Sequence, residues 1–311
     1  MSALGELRAL SRRSRRDGPR VRHRDNRAAY LFLLPWFAGL LFVTAVPMLA
    51  SLYFSFTKFN LLQPPRFIGL DNFTRMFHDE RLWAALRVTF TYVLVSVPLQ
   101  LVLALLLAVV LDRGVRGLAI YRSVFYLPSL IGGSAAIAVL WKQIFGAEGL
   151  VNHVLAFFGV PGESWVANPS TALSTLITLG VWTFGAPMVI FLAALRQIPV
   201  EYLEAAEMDG AGRVRRFWSI VVPLLTPIIF FNVVLQIIGA FQSFTQAYIV
   251  SGGTGGPADS TLFYTLYLYT SGFANLDMGY ASALAWLLVV IIGAFTAVNF
   301  WAAKSWVFYD D

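Results

Sequence analysis

Cysteine is absent from the 311 residues and histidine occurs only three times. Without a thiol there is no disulfide framework, no thiolate-held metal and no cysteine nucleophile. His23, His78 and His153 stand far apart, so no pair has metal-ligand spacing. Charge is scarce too: Asp, Glu, Lys and Arg make up 13% of the chain, against about 25% in ordinary soluble domains. That density is too low to clothe a globule in water and argues against a soluble enzyme. No Gly-x-x-x-x-Gly-Lys-Ser/Thr stretch occurs, so the chain carries no phosphate cradle of that kind. The run Gly252–Pro257 is glycine-rich but lacks lysine and reads as a turn.

What the chain has instead is apolar length. Hydrophobic residues reach 58% and mean hydropathy is +0.68. Six runs, at about 28–56, 88–111, 119–145, 171–195, 223–248 and 280–303, are each long enough to cross a ~30 Å hydrocarbon core. The first exceeds the ~7–15 residues of a signal-peptide core and is expected to stay as an anchor. The expectation is an all-α membrane protein in three parts: a basic tail at 1–27, a six-helix domain at 28–304 and a short C-terminus at 305–311.

Charge placement sets the expected orientation. Nine arginines precede residue 28. With the N-terminus inside, seventeen Lys and Arg fall on the inner side and six on the outer, so both termini are expected in the cytoplasm. Directly before a span, such a tail suits anionic lipid rather than nucleic acid. The spans hold no carboxylate away from their ends, with Asp112 and Asp277 at boundaries. Proton- and sodium-driven carriers place such groups inside the bilayer, so the energy source is to be sought outside the membrane. Nor do the spans contain the paired acid and base of a membrane enzyme.

One connection, 196–222, is rich in signal. Pro199 suits a first helical turn, Glu201 and Glu204 favour the positive helix end, and Gly210 supplies a break. A short basic helix follows, and Pro223 opens the next span. The result is a small helical protrusion, with Ala205 and Ala206 permitting close approach by another surface.

This segment resembles the EAA loop of ABC importer permeases. Glu204, Ala205, Ala206, Gly210, Ile220 and Pro223 stand at the family spacing, with Val222 where the family has leucine. The stretches 61–73, 121–128 and 278–283 extend the likeness towards the carbohydrate-uptake branch that includes the maltose and glycerol-3-phosphate permeases. The resemblance implies a type I importer permease fold in a bacterial inner membrane. It also implies a heterodimer with a second permease, a cytoplasmic ATPase dimer that binds ATP-Mg, and an extracytoplasmic solute-binding protein. On that likeness Glu204, Ala205, Ala206, Asp209 and Gly210 form the ATPase-coupling set. The chain itself is expected to be no enzyme and to need no cofactor or metal.

A candidate solute path comes from two stripes. Asn232, Gln236, Gly239, Ser243 and Gln246 recur at helical spacing within an ~80° sector of the fifth span. Thr171, Thr175, Thr178, Trp182 and Gly185 do so in the fourth. Small and hydroxyl residues also line helix–helix contacts in membranes. Carboxamides donate and accept hydrogen bonds, and an indole offers a flat face to a sugar ring. Trp182, Thr183, Asn232, Gln236 and Ser243 are therefore the expected pathway residues, with Gln236 bonding and Trp182 stacking. Ala240 stands where a binding asparagine of the family falls, which leaves open which permease holds the sugar. Another small polar solute is the alternative cargo.

Overall fold

The computed structural model describes residues 25–114 and 117–308; residues 1–24 of the basic tail, Arg116 and the last three residues of the expected C-terminal segment lie outside them. The chain divides into two units, Met1–Tyr53 and Phe54–Asp311.

In the first unit α1 (Asp25–Gly39) passes through a π-helical stretch, Leu40–Ala45, into α2 (Val46–Ser55), which runs just beyond the unit boundary. Tyr30–Ser55 is long and apolar enough to cross a membrane. Most of its side chains are exposed, Phe32 by 84% and Phe42 by 67%. A helix pairs its backbone groups internally, so such a surface is stable in hydrocarbon.

The second unit opens with a two-stranded hairpin, β1 (Thr57–Lys58) and β2 (Arg66–Phe67), antiparallel with Thr57 opposite Phe67. Buried Asn72 of α3 (Asp71–Phe77) donates Nδ2 to the Ser55 and Thr57 carbonyls, each at 2.9 Å, and so fixes the chain leaving α2. Next comes α4 (Glu80–Asp112), which starts eight residues before the apolar run because Asp79 caps it.

Helix α4 is the post of the bundle. Ala85, Ala104 and Ala108 are fully buried on it, and such small side chains let neighbouring helices approach. Against it pack α8 (Ala172–Trp182), α9 (Gly185–Leu195) and α12 (Val222–Phe241). The core between them holds Leu176, Met188, Phe191, Leu225 and Phe241. Thr89 of α4 accepts the Tyr264 amide at 2.8 Å, tying in α14 (Tyr264–Tyr269), and the Tyr264 hydroxyl donates to the Leu284 carbonyl of α15 (Met278–Trp306) at 2.7 Å.

Among the described residues five helices are long and apolar enough to span, and a sixth span results if the pair α5 (Leu118–Ile131) and α6 (Ala135–Ile144) in the run at 119–145, bent by 98°, counts as one. Gly132 and Gly133 fill the corner, and Ser134 starts α6 afresh by accepting the Ile137 amide. The connections also hold structure that hydropathy does not reveal: α7 (Leu150–Phe157), α10 (Val200–Met208), α11 (Arg213–Arg216) and α14. Beyond α12 the fifth span breaks at 242–244 and resumes as α13 (Thr245–Ser251).

Candidate functional site

Breaks in two spans, the fourth at Thr183 and the fifth at 242–244, line a cavity of about 300 Å³ together with residues of α4. The break in the fourth span has a cause in the sequence. Pro187 lacks an amide hydrogen, and a proline in a helix cannot bond the carbonyl four residues before it, here that of Thr183. Two side chains from neighbouring spans satisfy that carbonyl. Gln100 Nε2 of α4 donates to it at 3.0 Å, and Ser129 Oγ of α5 at 2.8 Å. Ser129 Oγ in turn accepts the Ala186 amide at 2.8 Å, so one hydroxyl bridges both sides of the opened turn. Gly185 allows the approach: a Cβ there would stand 2.2 Å from the Phe125 carbonyl oxygen.

The break in the fifth span is joined to the corner between α5 and α6, which lies outside the cavity wall. Gln246 Nε2 donates to the Gly132 carbonyl at 3.2 Å, linking the corner between α5 and α6 to the resumed fifth span. The Ser243 carbonyl, freed where α12 ends, accepts the Thr265 hydroxyl. Backbone that is not helical at membrane depth is tolerated where protein satisfies it, and here side chains of neighbouring elements do so.

Of the expected pathway residues, the structure brings Thr183, Gln236 and Ser243 to the cavity wall. Thr183 has little left to offer a solute, since its hydroxyl donates to the Gly180 carbonyl at 2.7 Å and accepts from Gln100 at 3.1 Å. The Gln236 carboxamide makes no hydrogen bond among the described residues. Asn232 and Trp182 need correcting in position, since neither lies on the wall. Asn232 is buried, with Nδ2 donating to the Ile228 carbonyl one turn back at 2.9 Å. Trp182 packs on Trp141 with ring centroids 5.9 Å apart, because the span ends its turn there and Thr183 takes the inward place.

The wall also holds residues that the reading by stripes passed over. Tyr92, Ser96 and Gln100 lie one turn apart on α4, and that spacing of polar groups in an apolar run was visible in the sequence. Gln242 sits within the fifth-span break, where helical periodicity gives no guidance. Phe244 and Phe263 supply aromatic surface, and among the described residues no charged side chain lines the cavity.

The protruding loop has the two expected helices. Helix α10 ends in a Schellman motif: the Gly210 amide donates to Glu207 at 3.0 Å and the Ala211 amide to Ala206 at 2.9 Å, with Gly210 at φ +80°. Arg216 folds back from α11, donating to Glu207 Oε2 at 2.7 Å and to the Leu203 carbonyl at 3.3 Å. That staple was not anticipated. Glu204, Ala205, Asp209 and Gly210 are exposed and Ala206 is half-buried, while Met208 is 88% exposed. Arg196 at the base of the loop lies 3.5 Å from Asp112 at the end of α4.

At the opposite end of α4 charges are concentrated and mutually engaged. Asp79 accepts the Arg81 and Leu82 amides at 3.1 Å each and the hydroxyls of Tyr267 and Tyr280. Arg75 pairs with Asp277 at 2.6 Å and lies 4.0 Å over the Tyr280 ring, and Arg81 pairs with Asp259 at 2.9 Å. Burial acts to raise the Asp79 carboxyl, but the Tyr267 and Tyr280 hydroxyls, the Leu82 amide and the nearby Arg75 charge together hold the group below the ordinary carboxylate value. Burial and the adjoining carboxylate push Tyr267 up to about 12, so it remains a donor. Among the described residues no cluster of His, Asp and Glu is arranged to hold a metal.

A bundle of spanning helices, a neutral polar cavity at their breaks and an exposed helical loop together define a membrane permease. The chain belongs to the family of binding-protein-dependent transport system inner membrane components, whose sequence profile matches residues 77–305. It is 53% identical over 290 residues to a probable ABC transporter permease protein, YesP, of Bacillus subtilis, covering 93% of this chain and 94% of that one. It is 32% identical over 282 residues to the lactose transport system permease protein LacF of Rhizobium radiobacter, covering 89% and 94%. In fold it matches a chain of a bacterial alginate ABC transporter, solved in complex with an alginate pentasaccharide-bound periplasmic protein. The TM-score is 0.76 at 21% identity, over 90% of this chain and 95% of that one. The protein is therefore an ABC transporter permease, an inner-membrane component and not itself a catalytic enzyme.

Proposed function

We propose that this permease conducts a neutral sugar inward by alternating access, working with a second permease, a cytoplasmic ATPase dimer and an extracytoplasmic binding protein. The observation that carries the reading is the lining of the cavity. It carries the unbonded carboxamides of Gln236 and Gln242, its apolar surface is part aliphatic (Leu176, Leu179) and part aromatic (Phe244, Phe263), and no charged side chain among the described residues faces it. Hydroxyl-rich neutral solutes suit carboxamides, which donate and accept, whereas an anion would call for cations in the wall. Names of relatives support the same class, as in the lactose system above.

The loop at 196–222 is the coupling element in this reading. Its exposed face, Glu204, Ala205 and Asp209, would meet the ATPase, and the Arg216–Glu207 staple makes the two helices move as one. Loop and termini are assigned to the cytoplasm by the distribution of Lys and Arg.

The test is ATP-driven uptake by the complete importer in proteoliposomes, with lactose, glucose and glycerol 3-phosphate as probes. Uptake of a neutral sugar, lost in Glu204→Lys together with retention of the ATPase, is expected. Uptake confined to glycerol 3-phosphate, or full activity in Glu204→Lys, would overturn the sugar or the coupling reading respectively.

A further inference from the structure

We infer that Gln100 and Ser129 are positioning residues of the transport site, which hold the opened turn at Thr183 against the cavity. The inference rests on the cavity being the solute path. Neither residue belongs to the fourth span, yet both are bonded to its break. Pro187 releases the Thr183 carbonyl, and a buried carbonyl without a partner is unfavourable. Gln100 Nε2 and Ser129 Oγ both donate to it, and Ser129 also accepts the Ala186 amide, replacing the missing helical bonds on either side of the break. Gln100 is 6% exposed, so its amide group is held in place by packing on α4. Its Oε1 accepts no hydrogen bond among the described residues, which leaves one acceptor beside the cavity.

The consequence is a division of labour among polar side chains. Thr183 has a hydroxyl that is fully engaged and serves as the anchor point, while Gln236 and Gln242 remain free to bond the solute. Losing either positioning bond lets the turn at Thr183, which Pro187 keeps from closing into a helix, settle inward, narrowing the cavity without touching the loop.

The chain has no cysteine, so Gln242→Cys is its single thiol, and its modification is read on this subunit after the subunits are separated. In the detergent-purified complete importer, the rate of its modification by 2-sulfonatoethyl methanethiosulfonate is measured alone and combined with Gln100→Leu, Ser129→Ala or Ser129→Thr. A typical hydrogen bond corresponds to roughly a three- to tenfold change in an equilibrium, so a fall of about that size in rate is expected for Gln100→Leu and Ser129→Ala. Ser129→Thr, which keeps the hydroxyl, should restore it. Lactose uptake should show a raised KM at unchanged Vmax in the two defective variants. Unchanged modification rates would overturn the inference, as would a Gln242→Cys that never reacts. So would lowered amounts of assembled complex with KM unaltered, the pattern of mere packing. If the parent importer takes up no sugar, the sugar reading fails while the modification rates still decide this one.

Discussion

The two polar regions at either side of the bundle are built on opposite plans. At the free end of α4, charged groups neutralise one another: Arg75 with Asp277, Arg81 with Asp259, and Asp79 with two tyrosine hydroxyls and two helix amides. In the cavity, no side chain is charged and the carboxamide of Gln236 has no partner at all among the described residues. The first arrangement is saturated and serves stability. The second is unsaturated, which weakens the fold slightly and leaves bonds available to a visitor. Substitutions should therefore separate stability from transport according to the region they fall in.

The largest loss of stability is expected from Asp79→Ala. It removes a helix cap and the acceptor of two buried hydroxyls at once, at a cost of about 2–4 kcal/mol. A fall of several degrees in the apparent Tm of the purified protein would show it. A change indistinguishable from that of an exposed substitution would mean that the clamp is ornamental.

Next is Gly185→Ala, which tests the packing that holds the cavity's shape. The added Cβ would lie 2.2 Å from the Phe125 carbonyl oxygen and 2.7 Å from Tyr126 Cα, both backbone atoms that cannot swing away. Overpacking of this kind costs roughly 1–3 kcal/mol. It should also disturb transport, because α5 and α9 are pushed apart beside Ser129. A lowered Tm with normal uptake would detach the break from function.

The clamp should also give the protein an acid limit. Asp79 has a folded pKa below the ordinary carboxylate value, so its contribution is full above that ordinary value. It is lost as pH falls from there through the depressed folded value. Tm measured from pH 6 down to pH 3 should therefore drop in the parent more steeply than in Asp79→Asn, and the two curves should converge at the acid end. Parallel curves would show that other carboxylates set the limit.

How far these regions were legible in the sequence follows from the same physics. Spans and loop helices announce themselves through apolar length and through capping residues such as Pro199 and Gly210, which act locally. The 98° bend of α5 and α6 left only Gly132 and Gly133 as a trace, since hydropathy is blind to direction. Of the residues on the two stripes, Gln236 and Ser243 of the fifth span line the cavity, whereas extrapolating a regular helix also assigned Asn232 of that span and Trp182 of the fourth to it. A stripe gives the face of a helix and not its depth, and breaks at 183 and 242–244 reset the face. The clamp was out of reach because Asp79, Asp259 and Asp277 meet partners up to about 200 residues away, and nothing local pairs them.

The smallest effect on stability is expected where the effect on transport is most specific. Gln236 lies half-buried on the cavity wall without a side-chain hydrogen bond among the described residues, so Gln236→Leu removes no bond that the folded chain makes. Leucine is close in size and removes an unpaired polar group, so stability should change by no more than about 0.5 kcal/mol in either direction. Uptake of a neutral sugar should nevertheless weaken, since a bond to a solute hydroxyl is lost, and assembly with partner subunits should be unaffected. Combining Gln236→Leu with Asp79→Ala then sharpens the contrast. The sites lie in separate hydrogen-bond networks, and the changes should add in Tm, with the uptake defect belonging to Gln236 and the thermal defect to Asp79. Transport kinetics that are normal in Gln236→Leu would return this face of the fifth span to helix packing and leave the cavity without its donor.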